Sequence, residues 1–277
     1  MIIAVGSLKG SPGATTLTLA LADRWPVGGG EPLVVEADPA GGDLGARFGL
    51  LTASRGLVTL AAAGRRGGAA RPVEDHIHEL PGGLQVIAAP AGAEQASQVL
   101  GELDGGGWSL LWSAARGQGR PLLVDCGRLD ARSSGRPVLD AADVLLLVVR
   151  ARDDELSHLA ARIPVVQSWE LPAWYVVVVA QPDRSADYRV GDISRVLGSR
   201  VLGPVPYDAA AAGVLAGRRH TRVGIGRTKL GRTAASLADY LAASVSTDVP
   251  AEPWTPALPT GAAASAGRVA LPRTRAR

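Results

Sequence analysis

An uncharged apolar run, Ile2-Ile3-Ala4-Val5, stops at a turn of mostly small residues, Gly6-Ser7-Leu8-Lys9-Gly10-Ser11-Pro12-Gly13-Ala14. Thr15-Thr16 then open the apolar-rich stretch Leu17-Thr18-Leu19-Ala20-Leu21-Ala22. No other stretch limits the fold so tightly. A short apolar run bounded by glycines predicts a buried strand, and the stretch behind the turn predicts a helix over Thr15 to about Trp25. Small residues between the two let backbone N–H groups converge on an anion, and the dipole of the helix start adds to the attraction. Thr15 stands where a loop hydroxyl would face a Mg²⁺ ion.

Two later runs end in acids. Leu33-Val34-Val35-Glu36-Ala37 predicts a strand that delivers Glu36 and Asp38, and Pro121-Leu122-Leu123-Val124-Asp125-Cys126-Gly127 predicts another that delivers Asp125. In open α/β sheets ligands collect beyond the carboxyl ends of strands, so these carboxylates are candidates for metal and water chemistry. Further apolar runs at 84–90, 144–149 and 174–180, and a short edge strand and turn over 201–208, alternate with helical stretches at 57–63, 94–103, 108–115, 153–166, 189–197, 209–216 and 230–243. Six or seven strand–loop–helix units argue a mostly parallel, doubly wound α/β sheet with helices on both faces. One domain over residues 1–245 is expected. The Pro/Ala/Thr-rich stretch 246–277, with its terminal arginines, is expected to be a disordered tail.

The loop resembles the deviant Walker A motif of the MinD/ParA family of P-loop ATPases, whose eight positions Lys-Gly-Gly-x-Gly-Lys-Thr-Thr read here Lys9-Gly10-Ser11-Pro12-Gly13-Ala14-Thr15-Thr16. The resemblance extends over about residues 1–243. It implies ATP and Mg²⁺ as cofactors and a homodimer with nucleotide at its interface. It implies a catalytic role for Lys9, the lysine that reaches the partner's nucleotide, and for Asp38, the carboxylate that orients the attacking water. Gly10, Ser11, Gly13, Ala14, Thr15 and Thr16 would cradle phosphate, with Thr15, Glu36 and Asp125 around the metal. Gln181 and Pro206 occupy the corner where the family reads and walls the adenine. Three positions depart from the pattern. Leu8 replaces an opening glycine, Ser11 replaces the second loop glycine, and Ala14 replaces the lysine that neutralises the β/γ-phosphates within its own subunit.

These residues support two function classes. One is an ATP-dependent dimerisation switch that positions or partitions a cellular cargo, with slow hydrolysis. The other is a pseudo-ATPase scaffold that keeps the fold and dimer face without turnover. A dinucleotide-binding dehydrogenase is disfavoured, because the loop lacks the Gly-x-Gly-x-x-Gly spacing. Only Lys9 and Lys229 are lysines among the 29 Lys and Arg residues, so a lysine in the loop is conspicuous. The basic cluster Arg218, Arg219, Arg222, Arg227, Lys229 and Arg232 is a candidate contact for DNA phosphates or an anionic surface, and an unknown protein partner is expected. A formal net charge of +3 is too small to indicate nucleic acid by itself. His76-Ile77-His78 has a spacing that could hold a metal on a strand, but alternate histidines more often mark a wet face. A single cysteine, Cys126, excludes an internal disulfide and fits a reducing cytoplasm. No secretory leader pattern opens the chain, and no apolar run approaches the roughly 20 residues of a membrane-spanning helix. A cytoplasmic protein is expected, with peripheral association at the nucleoid or membrane left open.

Overall fold

Alternation along the first strand divides the core in two. Side chains on a strand point to opposite faces in turn; in β1 (Ile2–Ser7) Ile2 and Ala4 enter one apolar cluster while Ile3 and Val5 enter another. Every position of β1 is buried, which is the condition of a central strand covered on both sides. The computed structural model describes residues 1–67, 72–130, 135–180, 188–197, 201–219 and 224–246.

The other strands are β2 (Leu33–Glu36), β3 (His78–Glu79), β4 (Gln85–Ile87), β5 (Leu122–Arg128), β6 (Val144–Arg150), β7 (Trp174–Val179) and β8 (Val201–Val205). They form an eight-stranded sheet in the order β3-β4-β2-β5-β1-β6-β7-β8. All neighbours pair in parallel except β3 with β4, which pair antiparallel. The chain leaves β1 toward β2, returns to insert β5 between them, then crosses to β6 on the far side of β1. β1 therefore lies at the topological switch point, where a doubly wound sheet opens a crevice at its carboxyl edge.

Ten α-helices cover the described sheet. On one face α3 (Leu57–Arg65), α4 (Ala93–Glu102), α5 (Gly107–Gly117), α6 (Arg136–Ala141), α7 (Asp153–Gln167) and α8 (Val190–Leu197) send Leu60, Leu100, Leu111, Leu139, Leu159 and Ile193 into the core. On the other face α1 (Ala14–Asp23), α2 (Leu44–Phe48), α9 (Ala209–Leu215) and α10 (Lys229–Ser246) contribute Leu17, Leu21, Leu44, Leu215, Leu237 and Leu241. Small aliphatic side chains do nearly all the filling, as a composition with 4% aromatic residues requires.

The doubly wound, mostly parallel sheet is the architecture expected from the sequence. Three elements were not expected. α2 and α6 are five and six residues long, too short for a helical period to register, and β3 contributes only two residues. The last helix continues through Ser246, beyond the expected end at 243, and residues 247–277 lie outside the described part of the chain. The His-x-His pair does not sit on one strand. His76 closes a 3₁₀ turn (Val73–His76), fully buried with its Nδ1 at 2.7 Å from Thr59 Oγ1, while His78 is on β3. Among the described residues no group of three or more His, Cys, Asp or Glu side chains is gathered to hold a metal ion.

Candidate functional site

Two glycines shape the loop between β1 and α1. Gly10 has φ +69° and Gly13 has φ +104°, left-handed values that residues with a side chain rarely adopt. Gly13 is also the residue that leads into α1, so the turn and the helix start are one feature. Ala14, first in the helix, packs into the core beneath the loop, and Thr18 Oγ1 donates to its carbonyl at 3.0 Å. Ser11 and Gly10 are exposed, whereas Thr15 and Thr16 are partly buried on the first turn.

Parallel pairing sets the carboxylates beside this turn. Asp125 on β5 is in register with Val5 of β1 on one side and with Glu36 of β2 on the other. Its carboxylate accepts the Gly127 amide at 3.1 Å and faces the Thr15 hydroxyl, and both favour its charged form. Burial outweighs them and pushes the Asp125 pKa up to about 6. Gly127 has φ +56°, and a Cβ there would collide with the carboxyl carbon and oxygens of Asp38. The Asp38 carboxyl thus rests directly on the backbone of β5 at Gly127, and only glycine permits that approach. Burial raises the Asp38 pKa as well, against the hydrogen bond its Oδ1 accepts from the Ala40 amide at 2.8 Å.

Glu36 is turned away from this pair. Its Oε1 accepts the amides of Asp43 at 2.7 Å and Leu44 at 3.0 Å, and its Oε2 accepts the Ala89 amide at 3.0 Å. The carboxylate clasps the turn after Asp38 to the end of β4. Burial pushes its pKa up to about 7 despite these three bonds. Shortening the side chain by one methylene should break the clasp. In Glu36→Asp, the amides of Asp43, Leu44 and Ala89 are expected to lose hydrogen-exchange protection and the fold to lose on the order of 1–2 kcal/mol. Unchanged exchange at all three amides would show that the clasp is not what orders the turn.

Lys9 lies beside the loop with its Nζ 3.5 Å from Asp154 Oδ2, both side chains about half-exposed. Pro206 follows β8 and is partly buried. Asp208, which the sequence did not single out, accepts the Ala211 amide at 3.0 Å and the Leu230 amide at 3.4 Å, tying the starts of α9 and α10 together. Gln181 and Arg222 lie outside the described residues. Arg218, Arg219, Arg227, Lys229 and Arg232 lie at the surface, the first two just after α9 and the others around the start of α10.

Mg²⁺ usually takes one or two protein oxygens and completes its octahedron with waters and phosphate oxygens. The donor set fits that habit: Asp125 and Thr15 sit together at the loop mouth, and a cation there would favour the carboxylate that burial now disfavours. The start of α1 behind Gly13, with its first-turn amides and helix dipole, fits a phosphate.

A glycine loop feeding the N-terminus of α1, with an acid from the neighbouring strand facing the first helical threonine, is the strand–loop–helix arrangement of a P-loop α/β fold. The solved structures that resemble the chain sharpen this to the fold of the MinD/ParA P-loop ATPases. A ParA family ATPase from Chlorobium tepidum superimposes with a TM-score of 0.68 at 18% identity, covering 87% of this chain and 98% of that one. The septum site-determining protein MinD of Pyrococcus horikoshii, complexed with Mg-ADP, gives 0.68 at 17% identity over 90% and 99%. McdA of Cyanothece in an ATP complex gives 0.63 at 17% identity over 90% and 99%. No family model matches the sequence, and no curated protein sequence matches it. No described helix is long and apolar enough to cross a membrane.

Proposed function

We propose that the chain is a nucleotide-binding positioning switch, in which Mg·ATP occupies the loop and two copies close over the nucleotide. The observation that carries this is the buried Asp125 carboxylate facing the Thr15 hydroxyl behind the glycine loop, with the Asp38 carboxyl packed on Gly127 beside it. The loop amides and the start of α1 bind phosphate, Thr15 and Asp125 hold the metal, and Asp38 orients water for slow hydrolysis. Mg²⁺, when bound, supplies positive charge to the phosphate oxygens. Glu36 takes no metal in this scheme, since its oxygens are committed to backbone amides and serve to order the turn that carries Asp38. Pro206 walls the base, and reading it is the role left to Gln181. The surface cations around α9 and α10 are the candidate contact for DNA or an anionic surface, and a protein partner completes the positioning role.

In the structure Lys9 pairs with Asp154, so it must swing out to reach a partner copy. An exposed ion pair of this kind contributes little to stability and is readily broken. Lys9→Ala is therefore expected to keep the melting temperature of the wild type but to lose most of its dimer in the presence of Mg²⁺ and a non-hydrolysable ATP analogue. Light scattering reads the dimer fraction directly. An equal fraction in wild type and variant would remove Lys9 from the interface. Ala14 favours a second function, a scaffold that binds nucleotide and dimerises without turnover, because one preorganised charge fewer at a phosphoryl-transfer site slows chemistry strongly.

A further inference from the structure

The missing loop lysine leaves a nucleotide-binding site short of one positive charge, and a cation from a neighbouring strand lies against the same loop. β6 runs parallel to β1 with Leu147 opposite Gly6, so Arg150, three residues on, ends β6 on the side of the loop that follows β1. Its Nη2 is 3.2 Å from the point where a Cβ on Gly10 would stand, which places the guanidinium directly on the loop backbone. Glu155 on α7 fixes it there. Glu155 Oε1 accepts from Arg150 Nε at 2.5 Å and lies 2.5 Å from Nη2, and Oε2 accepts the Arg150 amide at 2.8 Å.

This pair is not an ordinary surface bridge. The Glu155 side chain is 2% exposed, while that of Arg150 is 33% exposed, so the holder is buried and the held group opens to solvent. Nη1 and the second Nη2 hydrogen have no partner among the described residues. A guanidinium presents five N–H donors in a planar fork that matches phosphate oxygens, and the donors not spent on Glu155 are those left for such a ligand. Two of the other cations near the loop are held by exposed acids, Lys9 by Asp154 and Arg47 by Asp43.

We propose that Arg150, aimed by the buried Glu155, is a nucleotide-phosphate contact that substitutes for the loop lysine absent at Ala14. The proposal rests on the nucleotide-binding function proposed above. It adds a residue from a different strand, 136 positions away from Ala14 by numbering (150 − 14), as the source of the charge.

Removing Arg150 alone would strand a buried carboxylate, so the test neutralises the pair together. Equilibrium binding of Mg·ADP and of inorganic tripolyphosphate is measured for wild type, for Arg150→Gln with Glu155→Gln, and for that double variant carrying Ala14→Lys. The neutral pair is expected to bind both ligands on the order of ten- to a hundredfold more weakly, the range of a charge-assisted hydrogen bond. Ala14→Lys should restore most of the loss in that background. In unmodified protein, Mg·ADP should protect Arg150 from phenylglyoxal, read by peptide mass mapping, which needs no variant to fold. Wild-type affinity in the neutral pair, or equal phenylglyoxal labelling with and without Mg·ADP, overturns the assignment of Arg150 and leaves the nucleotide site standing. Absence of nucleotide binding by the wild type overturns both.

Discussion

Asp125→Asn is expected to yield a protein that, without nucleotide, is more stable than the wild type above pH 6 and that binds Mg·ATP at least about a hundredfold more weakly. The two effects share one cause. Asp125 is buried, and desolvation raises its pKa to about 6 over the combined pull of the Thr15 hydroxyl and the Gly127 amide. The unfolded carboxyl titrates near 3.9. Between these values the folded state binds more protons than the unfolded state, so stability falls as pH rises through about 6 and stays lower above it. Glu36, raised to about 7 by burial, acts in the same direction over a slightly higher window. Asparagine removes the ionisation at 125 while its amide oxygen accepts the Gly127 N–H and its amide nitrogen donates to the Thr15 oxygen. The expected gain is on the order of 1–3 kcal/mol at pH 8 and close to nothing at pH 4. A bound cation would need the charge that burial resists, so on the function proposed above the same substitution removes its main protein ligand. Thermal melts at pH 4 and pH 8, with and without Mg·ADP, read both effects. A variant no more stable than wild type at pH 8, or one still shifted by Mg·ADP as the wild type is, would contradict them.

The charge-crowded carboxyl edge also explains what was legible in the sequence. Strand, loop and helix at residues 2–23 come from one apolar run, glycines with positive φ and a helix start, all local in the chain. Asp125 was legible because a central strand shows itself as an uninterrupted apolar run, and the residue that breaks the run marks the carboxyl edge. Contact between segments could not be read. Glu36 stands where the motif suggests a metal ligand, but its extra methylene carries the carboxylate to the amides of Asp43, Leu44 and Ala89. Nothing local in the sequence announces that reach. Arg150 and Glu155 look like an arginine after a strand and an acid in the first turn of a helix, a common arrangement that favours the helix dipole. Their place on Gly10 depends on β6 settling beside β1, which no local pattern states. α2 was missed because five residues after a Gly-Gly-Asp turn carry no period.

Ala14→Lys should raise Mg·ATP affinity on the order of tenfold and produce measurable phosphate release, which decides between a switch with a lesion and a scaffold. Residue 14 opens α1 directly behind Gly13 and immediately precedes Thr15, whose hydroxyl faces the Asp125 carboxylate. The native alanine is nearly buried, 8% exposed, so a lysine must extend toward the loop rather than into the core. In the nucleotide-free protein that ammonium meets carboxylates that burial has raised, and it should lower their pKa values as an opposite charge does. With phosphate bound it adds a direct Coulomb partner in a partly desolvated site, worth more there than in water. On the proposed function, turnover further requires that Asp38 order the attacking water, and the Asp38 carboxyl packs against Gly127. Three rates therefore decide the matter: phosphate release by the wild type, by Ala14→Lys, and by Ala14→Lys with Asp38→Ala. The middle protein should be fastest, and loss of its gain on removing Asp38 ties the chemistry to that carboxyl. If Arg150 already supplies the charge, the gain from Ala14→Lys will be smaller in the wild-type background than with Arg150 and Glu155 neutralised, since two cations serving one phosphate do not add independently. Equal background rates in all three proteins, with nucleotide bound, would defeat the switch and establish the scaffold.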